Sequence, residues 1–190
     1  AGQLFGFEDG APLPYRDRRG TVLDRVADLA TEGTNSLRFA SPAWTNGMPE
    51  WPAFDLKPPV ADWRPFDRLV VDIVNPGGGG ALFGLHVTDA KVRLQEGLGH
   101  RFDLPSRGWR RYEIPLSAMP ESVDRSAVVR VHFFTERPST NLILHLDNLA
   151  LLRPGEAAPE PGPAFARRLA ALMAPAAGEA AAALAAARAG

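Results

Sequence analysis

The stretch "LILHLDNLALL", Leu142–Leu152, decides the fold. It is nearly all apolar and reads as a buried strand, yet Asp147 stands at its middle. A lone carboxylate in such a strand costs several kcal/mol unless a partner neutralises it. The strand therefore predicts both a packed β-core and a polar group that meets Asp147.

Further short runs of the same character precede it. They are "QLFGFE", "RVADLAT", "SLRFAS", "AFDLK", "RLVVDIVN", "ALFGLHVTD", "HRFDL", "RRYEIPL" and "VVRVHFFTE". Between them lie turn residues, among them "NPGGGG" from Asn75 to Gly80, whose glycines accept positive φ at a reversal. About ten short strands without a helix between them predict an all-β fold, a two-sheet antiparallel β-sandwich of the jelly-roll kind. A parallel sheet would need crossover helices.

Strand alternation assigns faces. In "VVRVHFF", Val129, Val131 and Phe133 oppose Arg130, His132 and Phe134. In "LFGLHV", Phe83, Leu85 and Val87 oppose Leu82, Gly84 and His86, and in "RRYEIPL", Tyr112, Ile114 and Leu116 alternate with Arg111 and Glu113. The first set of each suits the inter-sheet core. The second makes a polar face for solvent or a ligand.

Composition narrows the classes. The 190 residues have a formal net charge of −1, which gives no electrostatic argument for nucleic acid. There are no cysteines, so disulfides, thiolate metal sites and cysteine catalysis are excluded. No apolar run approaches the ~20 residues of a membrane helix. The first residue is Ala1, compatible with a mature exported form or a trimmed piece.

Near Arg153 the composition changes. "RPGEAAPEPGP" is a stiff linker, and Phe165, Leu169, Leu172 and Met173 follow as one helical stripe ending before Pro175. "GEAAAALAAARA" predicts a second, short helix. The expected organisation is a β-sandwich over 1–153 and a Pro-rich linker with an Ala-rich helical tail over 154–190.

Five motifs in order carry a resemblance: "FGFEDG", "TEGTNSLRF", "ADWRPFDRLVVDIVNP", "GWRRYEIPL" and "LHLDNLALL". Together they resemble the galactose-binding-like, carbohydrate-binding-module β-sandwich, and more narrowly the non-catalytic domain preceding the barrel in agarases and β-galactosidase-like glycoside hydrolases. The resemblance implies a structural calcium ion where the chain's beginning meets its last strand, on Glu8, Asp147 and the 31–36 segment, with Glu32 or Asn35 adding oxygen. Calcium chemistry is compatible, since the ion takes six to eight hard oxygen ligands. The alternative is that Asp147 accepts backbone N–H bonds or pairs with an arginine such as Arg38.

Candidate sugar contacts are His86, Arg111, Glu113, Arg130 and His132 on the polar faces, with Trp44 and Trp51 from the loop "SPAWTNGMPEWPAF" as stacking platforms. Trp63 and Trp109 are expected to pack as structure. The spacing of His86, His132 and His145 argues neither for nor against a zinc site, and no HxH or HxxxH pair supports one; no G-x-S-x-G, P-loop or H-E-x-x-H motif appears. The expected function is a non-catalytic carbohydrate-binding module, exported, stabilised by calcium, holding a polysaccharide or oligosaccharide for a downstream catalytic domain. One rival is a structural, domain-docking sandwich without a sugar site, and the other a jelly-roll lyase or hydrolase. A groove with Trp44 or Trp51 on its rim favours binding. A flat face, or one covered by the tail helix, favours docking.

Overall fold

The leucines of the last strand fill the space between two sheets, and the rest of the domain is arranged around them. The computed structural model describes residues 2–8, 13, 15–17 and 20–174. In chain order the strands are β1 (Gly2–Phe5), β2 (Tyr15–Asp17), β3 (Val22–Val26), β4 (Ser36–Ser41), β5 (Ala53–Leu56), β6 (Arg68–Asn75), β7 (Phe83–Thr88), β8 (Leu98–Phe102), β9 (Gly108–Pro115), β10 (Arg130–Thr135) and β11 (Leu142–Leu152). Among the described residues one α-helix, α1 (Pro163–Met173), follows.

The strands form two antiparallel sheets, β3-β4-β11-β6-β9 with β1 also on β11, and β2-β5-β10-β7-β8. This is the expected sandwich. The expected strand "RVADLAT" is displaced, β3 being Val22–Val26 with 27–31 outside any strand, and strand β2 is an element that the sequence reading omits. It is three residues long, too short to show a period.

Inward side chains of both sheets interdigitate. Leu69, Val71 and Ile73 of β6 meet Phe83, Leu85 and Val87 of β7 and Phe133 of β10, all fully buried. Phe54, Phe83, Phe102 and Phe133 form a chain of stacked rings 5.1–6.4 Å apart. Val129 departs from the expectation. It precedes β10 and is 36% exposed.

Strand β11 changes parity at its centre. Leu142, Leu144 and Leu146 are buried in the core, and then Leu149 and Leu151. The slip is a bulge between Asp147 and Ala150 in the pairing with β6, and Asn148 absorbs it with φ +49°. β4 pairs with the first half of β11 and β1 with the second. Asp147 sits where these two neighbours leave off.

The Phe165/Leu169/Leu172 stripe does find an apolar surface within this chain. Phe165 is 3% exposed and clusters with Leu29, Val74, Trp109, Leu169 and Leu172 on the outer side of the β6–β9 edge. Arg107 donates to the carbonyls of Leu172 and Ala174 and so caps the helix C-terminus. Met173 is 55% exposed. The expected second helix lies outside the described residues.

Candidate functional site

The outer face of β5-β10-β7-β8 carries an open cleft of about 710 Å³. Register builds its floor in two rows. Asp55, His132, His86 and Gly99 stand opposite one another across β5, β10, β7 and β8. One step along the strands, Ala53, Phe134, Gly84 and Arg101 form the second row.

The two glycines shape that floor. A Cβ at Gly84 would meet Phe134 Cζ at 2.7 Å and the His100 carbonyl at 2.9 Å. A Cβ at Gly99 would stand 3.3 Å from the His86 ring. Their absence lets the neighbouring rings lie across the sheet. His86, His132 and Phe134 form a cluster of near-parallel rings with centroids 5.2–6.4 Å apart and planes within 34° of one another. Trp51 stands at the rim, 37% exposed, tilted 57° against Phe134. This ring cluster and the tilted Trp51 indole offer two aromatic surfaces to the C–H face of a ring ligand.

Polar groups are few and placed. Asp55 accepts from His132 Nδ1 at 2.6 Å, which fixes the imidazole and leaves Nε2 as its second polar atom. Arg130 approaches the other Asp55 oxygen at 3.6 Å. His86 Nδ1 is buried without a hydrogen-bond partner. Burial, then the His132 and Arg101 charges, hold His86 below the ordinary imidazole value. Gln95 and Arg101 also line the cleft.

Of the seven expected sugar contacts, Trp51, His86 and His132 line the cleft, and Arg130 adjoins it through Asp55. Arg111 and Glu113 do not. They lie on β9, in the other sheet, where Arg111 pairs with Asp72 and Glu113 with Arg68. Alternation gave their face correctly but cannot say which sheet a strand joins. Trp44 is also elsewhere. It donates to the Met48 carbonyl and lies under the Arg137 guanidinium. Trp63 is fully buried, and Trp109 packs edge-on against Phe165.

No protein-family model and no curated protein matches the chain. Solved structures do. A family 11 carbohydrate-binding module from Clostridium thermocellum, in complex with a β-1,3-1,4-mixed-linked tetrasaccharide, superposes with a TM-score of 0.60 at 17% identity, covering 80% of this chain and 95% of that one. An exo-β-agarase gives 0.63 at 16% identity, covering 84% of this chain and 26% of the enzyme. Another agarase gives 0.63 at 11%, covering 80% and 26%. The chain has the fold of these β-sandwich modules. It spans about a quarter of each agarase.

Asp147 answers to a second polar centre, on the opposite sheet. It is 1% exposed, and its Oδ2 accepts from the Thr31 and Glu32 amides at 2.8 and 2.9 Å and from the Thr31 hydroxyl at 3.2 Å. Its Oδ1 accepts from the Asn148 amide at 2.7 Å. Its register partner Asp72, also buried, takes a bidentate bond from Arg111 at 2.7 and 2.9 Å. Burial outweighs these bonds and pushes Asp147 up to about 7. Arg38 is not the partner, since it pairs with Asp24.

Glu8 caps the same loop further on. It accepts from the Thr34 amide and hydroxyl and the Asn35 amide, at 2.8–2.9 Å. The Asn35 amide group turns to the Thr34 hydroxyl, and a flipped Asn148 donates to Glu32. A calcium ion takes oxygen lone pairs, and here those of Glu8, Glu32 and Asp147 receive N–H and O–H donors. No group of three or more acidic or histidine side chains converges among the described residues. In this arrangement the four residues do not fit a calcium ion, and the loop itself joins the chain's beginning to its last strand.

Proposed function

We propose that this chain is a carbohydrate-binding module whose ligand is a glycan lying across the cleft of the β5-β10-β7-β8 sheet. The observation that carries the reading is the ring floor of His86, His132 and Phe134 beneath the Trp51 rim, on the sheet that α1 leaves uncovered. A cleft of about 710 Å³ is within the range of ligand sites, roughly 300–1,000 Å³. The rings stack on a sugar while His132 Nε2 and Gln95 bond hydroxyls. The sugar complex of the family 11 module supports the same use of this fold.

The module acts passively. It raises the concentration of glycan near a catalytic domain elsewhere in a longer polypeptide or assembly, outside the cell where such polymers occur. The placement of similar domains within agarases supports that context. The docking rival predicts a covered or flat face here; the concave face, uncovered among the described residues, supports binding instead.

Titration calorimetry against agarose oligosaccharides, mixed-linked β-glucan, xylan and acidic polysaccharides tests the proposal. Trp51→Ala is expected to weaken the best ligand about tenfold, the effect of removing one aromatic anchor. Absence of heat with every glycan sinks it.

A further inference from the structure

The cleft has a charge asymmetry. Its lining residues among the described residues include Arg101 and the outward-facing His86 and His132 but no carboxylate. The nearest acid, Asp55, is 8% exposed and engaged by His132 and Arg130. Arg101 is exposed and forms no ion pair among the described residues. It shares a row with Phe134 and Gly84, next to the ring floor. The chain as a whole has a net charge of −1, so this positive field is local.

We infer that the glycan bound in this cleft is anionic, bearing a carboxylate or sulfate group that Arg101 receives while His86, His132 and Phe134 hold the ring. The inference rests on the carbohydrate-binding reading and names the ligand class for it. A guanidinium presents paired donors that match a carboxylate or a sulfate. A neutral sugar would leave this cation without a counter-charge, in a cleft where low-dielectric walls strengthen its field. The Gln95 amide adds hydrogen-bonding capacity beside it.

Calorimetry on the full chain uses four probes: polygalacturonate for carboxylate, carrageenan for sulfate, and agarose oligosaccharides and mixed-linked β-glucan as neutral ligands. The expected result is that one anionic polymer binds about tenfold more tightly than either neutral one and loses about tenfold between roughly 50 and 500 mM salt. Which polymer wins distinguishes carboxylate from sulfate. Arg101→Ala should abolish the anionic preference and the salt dependence, and Arg101→Lys should keep the salt dependence. The inference is overturned if a neutral glycan binds as tightly as both anionic ones, or if Arg101→Ala leaves the preference intact. In those cases the binding-module reading survives. Failure of all four probes to bind overturns both.

Discussion

The two outer faces of the sandwich are made by the same pleat and end in opposite states. On β3-β4-β11-β6-β9, the buried outward groups Asp72, Asp147 and His145 are each engaged. Asp72 holds Arg111, Asp147 holds the 31–32 loop, and His145 meets Ser36. The 154–162 linker then closes over that loop, Gly162 donating to the Thr31 carbonyl, and α1 seals the edge. On β5-β10-β7-β8, His86 Nδ1 has no partner and Trp51 and Arg101 stand open. One face therefore contributes stability and the other has bonding capacity left for a ligand. Polarity alone does not separate them, and cover does.

The sharpest way to break this comparison is to damage the closed face. Arg111→Ala leaves Asp72 buried and unpaired, which should cost about 3–5 kcal/mol in urea denaturation. Glycan affinity of the folded protein, measured well below the melt, should not move. Coupled loss of affinity would show that the faces are not independent. Phe165→Ala is next. Removing the one buried ring of α1 should cost about 2–3 kcal/mol, expose the 154–162 linker to protease and change Trp109 fluorescence. Binding at the cleft is again expected to be unchanged.

Much of this was open to reading in the chain. Parity in "VVRVHFF" and "LFGLHV" put His132 and His86 on one outward face because alternation depends only on local backbone geometry. The same rule placed Arg111 and Glu113 outward, but sheet membership is a long-range property that no window of residues contains. Arg101 escaped for the same reason as those two. In "LGHRF" Gly99 and Arg101 alternate with Leu98, His100 and Phe102, but nothing in that window says that the strand lies beside β7, next to His86. The bulge left a trace too. Leucines at 142, 144 and 146, followed by leucines at 149 and 151, cannot share one face of an unbroken strand. The "DN" between them marks the break, and Asn tolerates the positive φ there.

Asp147 offers the finest test of what closes the seam. Burial raises its carboxyl to about 7, above the ~4 of an unfolded chain. The folded state therefore holds this proton more tightly than the unfolded state does. Its contribution to stability is full below pH ~4 and is lost as pH rises through 7, roughly 1 kcal/mol of that between pH 6 and 7. His86, His100 and His145, held below their ordinary value by burial, act in the opposite sense as pH falls. The Asp147 share is thus read as the difference between wild type and Asp147→Asn across the window. A calcium ion on this carboxylate would hold it ionised, lower its pKa and make the same difference rise with pH. Loop amides predict a falling difference in chelator and in millimolar calcium alike. A sign reversal on adding calcium would place the ion at the seam and require the 31–35 loop to turn its carbonyls inward.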